Sequence, residues 1–244
     1  MASLRDSGKI VGSPFSVRRA AGRCGLPFPL SLIEFMNTRG CPLPACIRLH
    51  IKVLTPPLLP IATMLDRMRE VYGDLGVAVE VISRETLTPE DIGDTAFTDL
   101  NDLNVGRCVG GETSSEQDQL FENENHIRDG ARDEEIVAYF VRSVLLNDTD
   151  TLNGCAAHPD GKPGVAVSQF PSQWTLAHEV GHVLGLNHIS GENTNCPDSD
   201  PGCCDTPDFT RLMTGCGTDG ITGTPGFSQS EINTITESAL VNQC

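Results

Sequence analysis

Apolar and polar positions alternate first at Ile47-Arg48-Leu49-His50-Ile51-Lys52-Val53, the pattern of a half-exposed β-strand. Pro56, Pro57 and Pro60 then break the chain. From Ile61 the apolar positions Ile61, Met64, Leu65, Met68, Val71, Tyr72 and Leu75 recur at helical spacing, and Gly73 and Gly76 mark the end of that helix. Val77 to Ile82 reads as a second strand, and a strand-helix-strand connection favours a parallel pair. Ile136 to Val141 is uniformly apolar and predicts a buried central strand. Gly164 to Ser168 predicts a short further strand after the turn at Pro159-Asp160-Gly161. Ser172 offers an N-cap for a helix through His182, whose Leu176 and Val183 side is expected to pack under the sheet. The last helix opens with a capping box, Ser228-Gln229-Ser230-Glu231, and runs through Ile232, Ile235 and Leu240. Two stretches lack such periods. Ser83 to Glu135 is polar and acidic and reads as loops, and residues 1–45 read as a leader or irregular extension.

Composition narrows the class. A chain of 244 residues with 39% hydrophobic side chains can bury a real core, and it holds no apolar run long enough to span a bilayer. The formal charge of −16 argues against nucleic acid as a partner.

The chemistry is concentrated in His178-Glu179-Val180-Gly181-His182-Val183-Leu184-Gly185-Leu186-Asn187-His188, an H-E-x-x-H-x-x-G-x-x-H pattern. Residues four apart share a helix face, so His178 and His182 can aim their imidazoles at one point. Gly185 can take a positive φ, which lets the chain leave the helix and return His188 to the same point. Three neutral imidazoles with an open fourth position form a catalytic zinc site. Glu179, beside the first ligand, suits the role of general base.

This long motif resembles that of the metzincin zinc peptidases. The family carries a methionine turn downstream, and Arg211-Leu212-Met213-Thr214-Gly215 fits it, with Gly215 supplying the turn. The run Leu184-Gly185-Leu186, then His188-Ile189-Ser190-Gly191 and Asp205-Thr206-Pro207, is most similar to the pappalysin-like branch, with the matrixins next. The resemblance implies an α/β (α+β) fold. Its parts are a mixed, mostly parallel sheet, a long helix, an active-site helix above the cleft, and a small irregular lower part with the Met-turn and a C-terminal helix. It divides the chain into the leader, residues 1–45, and a catalytic domain, 46–244, with an upper part 46–188 and a lower part 189–244. It implies Zn²⁺ on His178, His182 and His188, and Ca²⁺ on the acidic loop carrying Asp198, Asp200, Asp205 and Asp208, whose carboxylates suit that ion. Astacin- and serralysin-like relatives use a tyrosine near the Met-turn. Tyr72 and Tyr139 both lie far upstream, so no tyrosine is expected at the metal.

Ten cysteines, Cys24, Cys41, Cys46, Cys108, Cys155, Cys196, Cys203, Cys204, Cys216 and Cys244, then read as disulfides in an oxidising, extracellular setting. No C-x-x-C pair is present, the connectivity does not follow from sequence, and adjacent Cys203 and Cys204 are expected to have different partners. No signal peptide is visible; the apolar stretch from Pro27 to Met36 is interrupted by Glu34. Arg23-Cys24-Gly25-Leu26-Pro27 resembles the matrixin cysteine switch, and Cys24 stands open as either a zinc-blocking thiolate or a disulfide partner.

The implied activity is endopeptidase, acting on protein or peptide laid along an edge strand, for which Gly164 to Ser168 is the candidate. Two other readings share the motif: a zinc hydrolase of non-peptide bonds, and a non-catalytic zincin-fold binding or toxin module.

Overall fold

The computed structural model describes residues 45–121, 127–146, 150–189 and 208–244, which belong to one compact unit. β1 (Ala45–Val53) leads through the proline-rich turn into α1 (Ile61–Gly73), and β2 (Val77–Thr86) returns parallel to β1, as the strand-helix-strand pattern requires. The segment read as loops instead holds α2 (Pro89–Ile92), α3 (Asp94–Asn101), β3 (Asp102–Asn104) and α4 (Ser115–Phe121). Its helices are four to eight residues long, too short to establish a period. β4 (Ile136–Phe140), β5 (Ser143–Leu146), β6 (Asp150–Leu152), β7 (Gly154–Cys155) and β8 (Gly164–Val167) follow. Then come α5 (Thr175–Val183), a 3₁₀ turn at Thr218–Gly220, α6 (Gln229–Glu237) and β9 (Val241–Gln243).

The main sheet runs β2-β1-β4-β8-β7, parallel except for β7, with β9 added antiparallel to the start of β1. A smaller sheet runs β3-β5-β6. The mixed, mostly parallel α/β architecture is therefore present.

Several local expectations change. β1 is central and its second face is covered, so it is buried on both sides, not half-exposed. Its polar positions are neutralised in place. His50 places Nδ1 2.8 Å from Ser83 Oγ and Nε2 2.9 Å from Glu135 Oε2. Fully buried Lys52 donates to Glu85 at 2.7 Å and to the Asp129 carbonyl at 3.1 Å. The capping box holds: Ser228 N donates to Glu231 Oε2 at 2.6 Å, and Glu231 N donates back to Ser228 Oγ at 3.3 Å. α6 nevertheless stops at Glu237, short of Leu240, and the chain turns into β9 beside β1. Cys46–Cys244 pins that closure.

Two apolar cores result. One lies between the sheet and α1 and α5, joining Leu49, Ile51, Met64, Tyr72, Leu176 and Val180 to Leu212, Met213 and Ile235. The other lies on the opposite face, where Leu100, Leu103, Leu120 and Phe121 meet Val137, Tyr139 and Ala166. Leu176 is buried in the first core and Val183 packs against it, the side foreseen for α5.

Candidate metal centre

α5 does not begin on Ser172. Ser172 Oγ instead accepts from Trp174 N at 3.1 Å, and its backbone N–H donates to Thr175 Oγ1 at 2.9 Å, so it shapes the turn before the first helical residue, Thr175. The far end behaves as the glycine predicts. Gly185 takes φ +99°, Gly185 N donates to the His182 carbonyl at 2.9 Å, and Leu186 N donates to the Gly181 carbonyl at 3.0 Å. These two bonds make a Schellman closure, which satisfies carbonyls the helix leaves open and turns the chain back.

That reversal brings His188 onto the helix pair. The Nε2 atoms of His178 and His182 are 3.1 Å apart, those of His178 and His188 3.1 Å, and those of His182 and His188 3.0 Å. His178 Nδ1 faces the Leu212 carbonyl at 2.8 Å, and His182 Nδ1 faces the Leu186 carbonyl at 2.8 Å. A carbonyl only accepts, so those Nδ1 atoms carry the protons and the Nε2 lone pairs of both rings converge. Lone pairs held this close repel unless a cation lies between them. Zn–N bonds of about 2.0–2.1 Å suit such a triangle, and the outer carbonyls are the support that metal-bound histidines use. Among the described residues, these three are the one group of at least three His, Cys, Asp or Glu side chains close enough to share an ion. The donor set fits zinc.

The electrostatics agree with this geometry. Burial, with the neighbouring His182 and His188, drives His178 down to about 3, which keeps it neutral and ready to ligate. Burial pushes the Glu179 carboxyl up to about 8. A cation in front of it would act in the opposite direction.

Two glycines that the sequence did not single out are set by close approach. A Cβ on Gly154 would lie 2.7 Å from Glu179 Cγ and 2.8 Å from its Oε1, so the backbone of β7 presses directly on the carboxyl group. A Cβ on Gly181 would lie 2.6 Å from Met213 Sδ. Gly181 stands mid-helix, where glycine is disfavoured by about 1 kcal/mol, and that placement was the available signal. Met213 is fully buried beneath the histidines, and its carbonyl accepts from Ile189 N at 2.8 Å. Gly215 lies in a turn without a positive φ; the left-handed residue of this segment is Gly217 at +80°, and a Cβ on Gly215 would stand 3.5 Å from the His188 side chain. Tyr72 is buried under α5 and donates to the Ala177 carbonyl at 2.9 Å; neither it nor Tyr139 lines the cleft.

The histidines open into a cleft of about 850 Å³ walled by Gly154, Ala156 and His158 on one side and Thr214 to Asp219 on the other. Its edge strand is β7. β8, the expected edge, is paired on both sides, with β4 and with β7. Ser168 N donates to the Asn153 carbonyl at 2.9 Å, and Cys155 stands opposite Ala166. By antiparallel alternation the Gly154 N–H and C=O therefore point away from β8, into the cleft.

Cys108–Cys155 and Cys46–Cys244 are disulfides, Cys216 is also disulfide-bonded, and no described cysteine is free. Cys24, Asp198, Asp200 and Asp205 lie outside the described residues. Asp208 is exposed, and its carboxylate accepts from Thr210 N at 3.0 Å. No helix among the described residues is long and apolar enough to cross a membrane.

No protein-family model matches the chain. Over 80 residues it is 36% identical to an extracellular metalloprotease of Arthroderma otae and 35% identical to one of Arthroderma benhamiae. Each match covers 33% of this chain and 29% of the relative, so the chain aligns with under a third of the length of these proteins. Among solved structures it is similar to archaemetzincin from Methanopyrus kandleri, with a TM-score of 0.39 and 17% identity over 81% of this chain and 89% of the other. It is also similar to archaemetzincin from Archaeoglobus fulgidus, with a TM-score of 0.41 and 13% identity over 78% and 100% of the two chains.

Proposed function

We propose that this chain is a secreted zinc-dependent endopeptidase. The observation that carries the reading is the convergence of three imidazole Nε2 atoms within 3.1 Å of one another beside a buried glutamate, at the base of an open cleft. The 35–36% identity to proteins named extracellular metalloproteases supports it over the matched 80 residues.

His178, His182 and His188 would hold the ion. Zinc there supplies a Lewis acid and lowers the pKa of water. Glu179 takes a proton from the attacking water on its carboxylate and passes it to the leaving amine nitrogen, so one side chain serves as base and then acid. The outward N–H and C=O of Gly154 pair with the main chain of an extended peptide, as a strand added to a sheet edge. Because residue 154 has no side chain, the strand that would pair with that peptide packs directly on the Glu179 carboxyl.

Within the metzincins the pappalysin-like branch is the closer reading, on the residues around His188. Domain limits of 46–188 and 189–244 follow the same resemblance. Calcium binding rests on that resemblance too. It is tested by melting the protein in millimolar calcium and in a calcium chelator, and equal melting temperatures would remove it.

The direct test of the activity is hydrolysis of denatured casein. Activity that disappears on dialysis against a zinc chelator and returns with one equivalent of zinc supports the reading. Stoichiometric zinc with no peptide-bond cleavage would contradict it.

A further inference from the structure

β7, the strand placed to pair with a peptide, is a weak element by its own ladder. It is two residues long, pairs among the described residues only with β8, and ends at Cys155. A two-residue ladder does not hold an edge in register. The missing restraint comes from the segment on the opposite face of the sheet.

Two bonds supply it. Cys155 is disulfide-linked to Cys108, with Cα atoms 5.9 Å apart. Gln117 of α4 is fully buried, and its Nε2 donates to the Ala157 carbonyl at 2.9 Å and lies 3.7 Å from Cys155 Sγ. The amide is itself fixed, because Gln117 Oε1 accepts from Ser114 N at 3.0 Å and Gln117 N donates to Ser114 Oγ at 3.0 Å. Cys108 sits in the left-handed region, at φ +51°, which a non-glycine residue adopts at a cost when the surroundings enforce it. The same turn brings Arg107 and Val109 to Gly111 to the wall of the cleft.

We infer that the Cys108–Cys155 disulfide and Gln117 are positioning groups for peptide binding, clamping β7 so that Gly154 presents its main chain to substrate over Glu179. They touch neither the histidines nor the reacting atoms. Their effect is on how an extended chain is held, so this one disulfide sets affinity for long peptides while the metal site stays intact. The inference rests on the peptidase reading.

The test uses the full chain as Gln117→Met, which keeps bulk and removes the donor, and as Cys108→Ala/Cys155→Ala. Each is assayed on an extended octapeptide and on a blocked dipeptide too short to pair with the edge. The expected result is a KM for the octapeptide raised about 5–10-fold in both variants, the effect of losing a well-placed hydrogen bond or two. Turnover number, dipeptide KM and one zinc per chain should stay as in the wild type. Equal losses on both substrates, a fall in kcat at constant KM, or wild-type octapeptide KM would overturn the clamp. If the wild-type chain cleaves neither substrate, the peptidase reading fails separately, and amide exchange over residues 153–157 decides the clamp. Faster exchange in both variants supports it, and unchanged exchange overturns it. Gln117→Met keeps the test alive should the double cysteine variant not fold.

Discussion

The two faces of the main sheet are buried by different means. Toward α1 and α5 the contacts are apolar side chains and main-chain bonds: Met213 against Gly181, Tyr72 Oη on the Ala177 carbonyl, His178 on the Leu212 carbonyl. On the opposite face β1 carries His50 and Lys52 into the interior, where Glu135, Glu85 and Ser83 answer them. Removing one partner of a buried charge pair is costly because the other is left unsatisfied. The first face therefore holds the proposed metal site on apolar contacts and main-chain acceptors. The second holds its buried polar side chains through side-chain hydrogen bonds from distant parts of the chain.

The largest effect expected on the first face is His188→Ala. Two histidines on one helix leave a poor zinc site, so the variant should lose its zinc to a mild chelator and its hydrolysis with it, while remaining folded. Retention of one zinc after dialysis would break the assignment. The matching change on the other face is Glu135→Ala. It takes away the buried hydrogen-bond partner of His50 Nε2, while exposed Arg132 keeps Glu134 and Arg48 keeps Glu80, and should cost about 1–3 kcal/mol of stability in denaturant melts. The zinc affinity of the fraction still folded should be unchanged. A normal melt for Glu135→Ala would erase the contrast between the faces.

How far each face was legible in the sequence follows from the same difference. The ligand helix could be read because its chemistry is local: His178, Glu179, His182, Gly185 and His188 lie within eleven residues, and the positive φ of Gly185 is a single-residue property. The period of α1 and the Ser228 capping box are local in the same sense. The alternation Arg48, His50, Lys52 looked solvated because nothing nearby in sequence announces Glu135, 85 residues from His50. Gly164 to Ser168 looked like an edge because β7 is two residues long, and no period can be detected over two residues. Gln117 reads as an ordinary polar residue of a short helix. Its importance arises only where the fold sets Ala157 against it.

Smaller changes sharpen the comparison further. Gly181→Ala puts a methyl against the Met213 sulfur and should cost about 1–3 kcal/mol by overpacking, with weaker zinc retention because the helix between two ligands must shift. An unchanged melting temperature would show that Met213 yields freely.

Acid should act on both faces, over different pH windows. Burial alone would raise the Glu135 carboxyl, but hydrogen bonds from the Arg132 side chain and backbone and from His50, with the Arg132 charge, hold it at about 2. A carboxyl depressed from its ordinary 4.5 contributes its full stability above 4.5 and loses it as pH falls toward 2. The metal-free protein should therefore lose stability across that window, and Glu135→Gln should reduce the loss, leaving the part that buried His178, held down to about 3, contributes as pH falls from 6.5 toward 3. The same slope in both proteins would move the acid sensitivity elsewhere. Met213→Leu is the mildest change, a near-isosteric swap expected to cost under about 1.5 kcal/mol with zinc retained.

The central claim, that Glu179 moves the proton at a zinc site built from His178, His182 and His188, is tested most directly by Glu179→Gln, with metal content and peptide turnover measured on the same sample. The account predicts one zinc per chain and turnover below about 10% of the wild type, since the base is lost and every ligand is kept. A zinc-loaded Glu179→Gln protein that cleaves peptide at the wild-type rate would contradict it.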